Sequence, residues 1–266
     1  MSLRQDLQKT SSRRRRKEIF IRILIGIGIV GVITGIIIFL FYIPSLRISE
    51  VAIAGLSASD EKELREEILE KLKARRFLIL PKDHLIFFPK EEIQTLLANK
   101  FRVKDFEMEK DFPSGLKISI VERKTWAVWC LADSNRCLLI DREARAFESA
   151  AGFAGGAILK IIDARNENFL GKNILPDKSF EKIVFLIDNA PKRVGEEIKT
   201  VNIKSAGDTY LLYVKTGWYV LIDDETDEKK ALENLYLALN SEIKERKAEL
   251  EYIDLRFPDK VFYKYR

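Results

Sequence analysis

The longest uninterrupted run of apolar positions lies near the start of the chain, at Ile23–Ile43. Its 21 residues carry no charge and are mostly Ile, Val, Leu, Phe and Gly. At about 1.5 Å per helical residue, such a run reaches roughly 30 Å, the thickness of a bilayer's hydrocarbon core. A cleaved signal peptide is the competing interpretation, but its apolar region is shorter and precedes small residues, whereas Phe39–Leu46 is bulky and contains a proline. The pattern therefore predicts a retained membrane-spanning helix at 23–43.

Two glycine patterns lie inside this run. Gly26–Gly31 matches the letters of the dinucleotide-binding motif G-x-G-x-x-G, but that motif needs a preceding strand and a later acidic residue. Glycines inside an apolar span offer no such site. Gly31 and Gly35 also fit G-x-x-x-G, which lets two membrane helices approach closely. A helix–helix contact and the ordinary abundance of glycine in membrane helices both stay open as explanations.

After the span, the spacing of apolar residues alternates between the periods of strands and helices. Val51 and Ile53 alternate with small polar or Ala positions, as in a half-buried strand. Helical spacing follows twice, and two further alternating runs flank the turn 111–115. The apolar positions are Leu64, Ile68 and Leu72 in the first helix, Ile93, Leu96 and Leu97 in the second, and Phe106, Met108, Leu116, Ile118 and Ile120 in the strands. The predicted order is strand, helix, helix, strand, strand.

The remaining chain combines short apolar strands with two amphipathic helices. The first helix contains Phe180 and Ile187 and is predicted to stop at Pro191, and the second buries a stripe from Ala231 to Ile243. The predicted strands are 126–129, 138–141, 158–163, 201–203, 209–216, 218–222, 251–256 and 261–265. Together the two regions predict an α+β fold, with a mixed, mainly antiparallel β domain and flanking helices in its second part.

The net charge of +5 is concentrated beside the span. Residues 1–22 carry eight Lys or Arg and two acidic residues, whereas the other residues carry 38 basic and 39 acidic side chains. This distribution argues against a nucleic-acid partner. Because positive charge marks the cytoplasmic flank of a span, we expect the tail inside and the domains after Pro44 outside.

Two cysteines, Cys130 and Cys137, fall in the region expected outside the cytoplasm, where disulfides persist. Their spacing suits a pair that closes a hairpin, although two buried thiols would give the same sequence. Two cysteines and the single histidine, His84, supply too few ligands for a zinc site.

Elsewhere the sequence contains few residues that suggest a catalytic or metal-binding site. His84 is read as a turn residue, and Asp223–Glu225 is explained by the preference of helix starts for acidic residues. The sequence contains no G-x-S-x-G, H-E-x-x-H or P-loop motif. We therefore predict no catalytic, cofactor or metal site and no small-molecule substrate. The alternative is a single-pass enzyme or sensor of the cell envelope that carries a small β-α-α-β-β module.

Four segments carry a family resemblance. Val51–Gly55, the Phe112-Pro113 turn and Leu116–Arg123 resemble the polypeptide-transport-associated (POTRA) domain of the FtsQ/DivIB cell-division family. Tyr252–Lys260, with Asp-Leu-Arg-Phe at its centre, resembles the signature near the end of those proteins. The chain departs from the family pattern at Thr125, where proline is usual, and at 141–144, which lacks a glycine turn.

The resemblance implies a layout of four parts: a basic cytoplasmic tail at 1–22, the span at 23–43, a POTRA domain at 46–123 and an FtsQ-type β domain at 124–266. It also implies a non-catalytic scaffold of the cell-division machinery, located at the septum in the inner or plasma membrane. Such a scaffold binds FtsB/DivIC-like and FtsL-like proteins, and other membrane proteins of the division machinery, and helps control septal peptidoglycan synthesis.

The predicted docking surface is the end of the β domain. If the strand 261–265 lies at a sheet edge, its backbone can accept a strand from a partner, although Lys264 and Arg266 would serve equally to block aggregation. The resemblance favours docking. The residues predicted to take part are Tyr252, Phe257, Val261, Phe262, Tyr263, Lys264 and Tyr265.

Overall fold

The structure is a computed structural model that describes residues 3–41, 43–73, 75–76, 80–134, 136–150, 158–165 and 167–266. It divides into two compact units. The first contains Met1–Asn99 and Asp105–Val121, and the second contains Lys100–Lys104 and Glu122–Arg266.

The first helix, α1, covers Leu3–Phe41. Its segment Phe20–Phe39 is long and apolar enough to cross a membrane, and no other described helix meets that criterion. The sequence placed the end of the span at Ile43, but the helix ends two residues earlier. Ile43 is extended, with φ −66° and ψ 113°, because the proline at 44 disfavours helical backbone in the residue before it. A 3₁₀ turn at Pro44–Leu46 follows.

Apart from a short strand pair between the two helices, the rest of the first unit has the predicted order of elements. Its strands and helices are β1 (Glu50–Ala54), α2 (Ala58–Lys73), β2 (Arg75–Arg76), β3 (Leu80–Pro81), α3 (Lys90–Ala98), β4 (Val103–Asp111) and β5 (Gly115–Glu122). Among the described residues, β1, β5 and β4 form one sheet in that order, with β1 parallel to β5. The short pair β2–β3 was not predicted.

Alternation gives this sheet one buried face, and helix α2 lies against β1. Val51 and Ile53 of β1 are buried while their neighbours are exposed. They pack in a core with the helix stripes and the inward residues of β5, namely Leu64, Ile68, Leu72, Ile93, Leu96, Leu97, Leu116, Ile118 and Ile120. Gly55 ends β1 with φ +98°, and a Cβ there would meet the carbonyl oxygen of Ile120 at 1.9 Å. Only glycine fits this turn.

The second unit is built on a large mixed sheet. Its strands are β6 (Ala127–Leu131), β7 (Cys137–Ile140), β8 (Ala146–Ser149), β9 (Leu159–Asp163), β10 (Ile198–Ile203), β11 (Thr209–Val214), β12 (Tyr219–Asp223), β13 (Leu250–Asp254) and β14 (Phe262–Tyr265). Within the described part of the chain, these nine strands pair in the order β14-β13-β12-β11-β10-β9-β6-β7-β8. Most pairs are antiparallel, and β6–β9, β9–β10 and β12–β13 are parallel.

Two helices cover one face of this sheet. Helix α4 spans Asp177–Val194 and α5 spans Glu228–Leu237, and their buried side chains join the inward strand residues in the main core. The prediction that Pro191 ends α4 is wrong, since the helix continues to Val194 and stops at Gly195, which has φ +75°. After α5, a π-helical turn (Ala238–Ile243) and a 3₁₀ segment (Lys244–Glu249) lead into β13.

The opposite face of the sheet carries side chains that the helices leave uncovered. Tyr213, Tyr219 and Tyr252 lie side by side there on β11, β12 and β13, because Tyr213 pairs with Tyr219 and Tyr219 pairs with Tyr252. Their ring centroids are 4.9 Å and 5.6 Å apart. We call this set the tyrosine row. It leads directly to β14 at the end of the sheet.

Candidate protein-docking edge

The sheet of the second unit ends in a β-hairpin, β13–β14. β13 runs parallel to β12, and β14 lies antiparallel on the far side of β13. Phe262 is opposite Asp254, Tyr263 opposite Ile253, and Lys264 opposite Tyr252. In the described part of the chain, no strand lies beyond β14. The predicted docking strand therefore lies at a sheet edge.

Two residues of β14 point their backbone N–H and C=O groups away from the hairpin. The N–H of Arg266 donates to the carbonyl of Glu249 at 2.9 Å, so Arg266 faces β13. Since backbone groups alternate sides along a strand, the N–H and C=O groups of Tyr263 and Tyr265 point outward. Unpaired donors and acceptors of this kind are what an added strand uses.

Aromatic side chains surround this edge. Phe262 is 51% exposed, and its ring meets that of Phe257 edge-on with centroids 5.3 Å apart. Phe257 and Tyr263 are also exposed, at 46% and 39%. Large aromatic rings held in water-accessible positions are typical anchors of protein interfaces.

The turn that carries Phe257 is held in place by polar contacts. The Arg256 side chain donates to both carboxylate oxygens of Asp254, at 2.9 and 2.6 Å. Burial alone would raise the pKa of Asp254, but the hydrogen bonds from the side chain and backbone of Arg256 bring it below its ordinary value. The side-chain amide of Asn234 on α5 donates to the carbonyl of Pro258 at 3.2 Å. These contacts fix the Asp-Leu-Arg-Phe segment relative to the sheet edge.

The charge on β14 is supplied by Lys264. Its Nζ lies 2.6 Å from Oε2 of Glu251, and that hydrogen bond raises the pKa of the lysine. The side chains of Lys264 and Glu251 are 58% and 37% accessible to water, so the pair orients Lys264 along the sheet surface and adds little to stability.

Two of the predicted docking residues contribute to the core as well as to the edge. The prediction began the last strand at Val261, but β14 starts at Phe262, and Val261 is partly buried against the main core. Tyr265 also packs on that core, and the guanidinium of Arg246 stacks 3.9 Å above its ring. Tyr252 belongs to the tyrosine row. The freely accessible aromatic group is thus Phe257, Phe262 and Tyr263.

Sequence reasoning missed four residues that shape this edge: Tyr213, Tyr219, Arg246 and Glu251. The two tyrosines alternate with buried aliphatic residues in β11 and β12, which does signal an outward face. Their proximity to Tyr252 depends on the parallel register of β12 with β13, which no local pattern reveals. Arg246 reaches Tyr265 from the 3₁₀ segment, again through long-range packing.

The other residues singled out from the sequence lie away from the docking edge. Cys130 and Cys137 pair directly across β6 and β7 and are joined by a disulfide, with Cα atoms 4.1 Å apart. Gly31 and Gly35 lie in α1, and a Cβ added at either glycine would meet no atom within 4 Å, so both present an open helix surface. A contact with another helix at these glycines stays a prediction.

The acidic and histidine candidates are held by the protein itself. His84 is buried in a turn of the first unit, where its Nδ1 accepts from the N–H of Ile86 at 3.3 Å. Asp224 accepts from Ser179 and Tyr210, each at 2.6 Å. Across the described ranges, no cluster of three or more His, Cys, Asp or Glu side chains could hold a metal ion.

A cavity of about 410 Å³ in the second unit is lined by charged groups of both signs. Arg123 is paired with Asp141 and Arg142 with Asp188, while Glu143 is paired with Lys104. Each of these pairs places an opposite charge beside a charged residue of the cavity wall.

Comparison with protein-family models and with curated proteins finds no match to this chain.

Proposed function

We propose that this chain is a non-catalytic, membrane-anchored scaffold of the cell-division machinery, which binds a partner by adding a strand to β14. The observation that carries the proposal is the accessible edge of the second unit, where outward backbone groups at Tyr263 and Tyr265 lie beside exposed Phe257 and Phe262. The edge coincides with the segment whose Asp-Leu-Arg-Phe sequence resembles the FtsQ/DivIB signature.

The form of the edge suits strand addition better than a side-chain pocket. Backbone hydrogen bonds give an added strand affinity, and side-chain contacts on either side give it specificity. Here the tyrosine row continues from β13 to β11 on one face, and the exposed Phe257–Phe262 pair offers an apolar anchor at the tip. By the family resemblance, the partner would be an FtsB/DivIC-like protein acting together with an FtsL-like protein.

The first part of the chain supports the anchoring half of the proposal. Helix α1 contains a segment long and apolar enough to cross a membrane, and seven of the eight basic residues of the tail precede it. With the tail inside, both folded units lie outside the cytoplasm, an environment that preserves the Cys130–Cys137 disulfide. The first unit would act as the POTRA domain that contacts other membrane proteins of the division machinery.

A binding measurement tests the docking edge. Full-length protein in detergent micelles would be titrated with an FtsB-like and FtsL-like pair, comparing the natural chain with the double variant Phe262→Glu, Tyr263→Lys. We expect the double variant to lose at least about tenfold in affinity, because two anchors at the edge are replaced by charges. Leu170→Glu, at an exposed apolar position outside β12–β14, is the matched control and should bind normally.

Binding of the folded double variant at full strength would show that the docking strand is placed wrongly. Topology is tested separately with a reporter fused after Arg266, which should be active outside the cytoplasm. Activity only inside the cytoplasm would contradict the orientation. Depletion of the protein, with undivided filamentous cells as the expected result, tests the role in division.

A further inference from the structure

The end of the first unit nearest to α1 is tied together by backbone hydrogen bonds. The N–H of Ile48 donates to the carbonyl of Asp83 at 2.6 Å, and the N–H of Leu85 donates to that of Leu46 at 2.8 Å. The chain leaving the helix is thus joined directly to the segment 83–85. Helix α1 also lies against the short strand β3, Leu80–Pro81.

Two exposed apolar side chains come directly after residues 83–85 in the chain. Ile86 is 47% exposed and Phe87 is 52% exposed, although the flanking Leu85 and Phe88 are buried. The junction therefore holds the backbone of this turn firmly while it presents two large apolar groups to the outside.

A third exposed apolar side chain lies at the same end of the unit. Phe112, 63% exposed, is in the turn between β4 and β5. The N–H of Ser49 donates to the carbonyl of Ser114 in this turn at 3.0 Å, which places the turn beside the chain that leaves α1. Lys110, just before the turn, reaches the carbonyl of Ile86 at 3.4 Å. Ile86, Phe87 and Phe112 form what we call the apolar end of the unit.

The covalent path keeps this apolar end close to the span. Leu46 lies only seven positions after Phe39, the end of the apolar segment. Fully extended, this stretch would reach about 25 Å, and the helix to Phe41 and the 3₁₀ turn at Pro44–Leu46 shorten that reach. The headgroup layer on each side of a bilayer is itself roughly 5–7 Å thick.

Single exposed apolar residues are ordinary on protein surfaces. These three, however, lie together at the end of the unit nearest to the span, where a bilayer that holds α1 would be close. We propose that Ile86, Phe87 and Phe112 insert into the interfacial layer of the bilayer that holds α1, and so fix the orientation of the first unit on the membrane. The inference rests on the membrane anchoring proposed above.

Two of the cations at this end have carboxylate partners, and a third, Lys110, contacts the carbonyl of Ile86. Arg47 is paired with Asp83 at 2.5 Å, and Lys82 is paired with Glu92 at 2.7 Å. Cations that already have carboxylate partners in the protein contribute little attraction to anionic headgroups. The exposed apolar side chains need no charged lipid for insertion, so insertion is expected in a neutral phosphatidylcholine bilayer.

The test uses the full chain in phosphatidylcholine nanodiscs, with the environment-sensitive dye NBD on single cysteines introduced by Phe87→Cys or Phe112→Cys. The Cys130–Cys137 disulfide is left intact and does not react with the dye. Val121→Cys is the matched control: Val121 is 55% exposed and lies six residues along β5 from Gly115, about 20 Å away at strand spacing.

We expect a blue-shifted emission at positions 87 and 112, and about twofold quenching by lipids that carry a nitroxide near the headgroup. Position 121 should keep the emission of a dye in water. Emission and quenching at 87 and 112 equal to those at 121 would overturn the proposal. So would a change at 87 and 112 that occurs only after other membrane proteins are added, because it would assign the apolar end to a protein partner.

A fourth position separates this inference from the anchoring on which it rests. A dye at Ile33→Cys, inside the apolar segment, should be quenched by nitroxides deep in the acyl chains. If position 33 is quenched and positions 87 and 112 are not, the interfacial attachment fails while the membrane anchor stands. If position 33 is not quenched, the anchor itself fails.

Discussion

Lys264 lies opposite Tyr252 at the edge of the second unit, and its Nζ is 2.6 Å from Oε2 of Glu251 on the neighbouring strand. It is the one charged residue of β14, whose other side chains are Phe262, Tyr263 and Tyr265. An exposed edge strand that consists of aromatic residues tends to pair with the same strand of a second molecule. A lysine within the strand opposes that pairing. The same strand then stays available for the strand addition proposed above.

Replacing this lysine should convert the edge into a self-association site. We expect Lys264→Val to form more and larger oligomers at micromolar concentrations than the natural chain, as measured by sedimentation of the full-length protein in detergent. Glu251→Gln is the control, because it removes the ion pair but leaves the lysine in place. If Glu251→Gln associates as strongly as Lys264→Val, the ion pair rather than the edge lysine prevents association.

A proline at position 263 should separate docking from folding. The N–H of Tyr263 points away from β13, so Tyr263→Pro removes a donor that a partner strand would use without removing a hydrogen bond of the hairpin. We expect a loss in partner affinity of about tenfold, and a change in the free energy of unfolding below about 1 kcal/mol. Lys264→Pro, whose N–H faces β13, should instead destabilise the hairpin. Undiminished partner binding by Tyr263→Pro would rule out backbone pairing at this position.

The elements of the fold follow from local patterns wherever one face of a strand or helix is buried. The stripes at Leu64, Ile68 and Leu72 and at Ala231 and Leu235 predicted helices α2 and α5, whereas Leu239 falls in the π-helical turn after α5. β8 was missed because Ala146–Ser149 has little apolar alternation. The prediction that α4 ends at Pro191 was wrong. A proline in the last turn of a helix removes only one backbone hydrogen bond, so α4 continues past Pro191 and ends before Gly195.

The arrangement of the strands and the details of the docking edge were less accessible to sequence reasoning. The insertion of β9 between β6 and β10 is a matter of long-range pairing, and the tyrosine row exists only through the register of three strands. The period of two along β14 could not tell which residues of the hairpin face the core. Val261 and Tyr265 therefore entered the predicted surface although both pack against the core.

The second unit contains a buried ion pair. Its removal should lower the free energy of unfolding far more than removal of an exposed pair. Asp163 is fully buried, accepts from Nε1 of Trp129 at 2.9 Å and binds Arg165 at 2.6 Å. Asp163→Asn would leave the arginine without its countercharge, and we expect a loss of about 3 kcal/mol in the free energy of unfolding. Glu233→Gln, which removes the exposed pair with Arg193, should cost less than about 1 kcal/mol.

Tryptophan fluorescence measures this difference in the full-length protein. All three tryptophans of the chain, Trp126, Trp129 and Trp218, lie in the second unit, so urea unfolding followed by their emission reports on that unit. Equal losses for Asp163→Asn and Glu233→Gln would contradict the assignment of Asp163 as a buried, structurally required charge.

The hairpin that carries the docking edge should lose stability in acid through Asp254. The net effect of its environment is a pKa below the ordinary value, because the hydrogen bonds from Arg256 outweigh the effect of burial. Protons therefore bind the unfolded chain more readily, so the stabilisation is present above the unfolded pKa of about 4 and is lost as the pH falls through the lower folded pKa. Asp254→Asn should cost about 1–2 kcal/mol at pH 7 and progressively less as the pH is lowered from about 4 toward 2.

The measurement is the difference in the free energy of unfolding between the natural chain and Asp254→Asn, followed by tryptophan emission across this pH range. The difference cancels the titration of the other carboxylates, which both proteins share. Asp259→Asn, at an exposed position in the turn that follows Asp254, is the control. We expect its effect to be small and independent of pH. A cost of Asp254→Asn that stays constant from pH 7 to pH 2 would contradict the lowered pKa, since the Arg256 contact would then stabilise the fold without depending on the charge of Asp254.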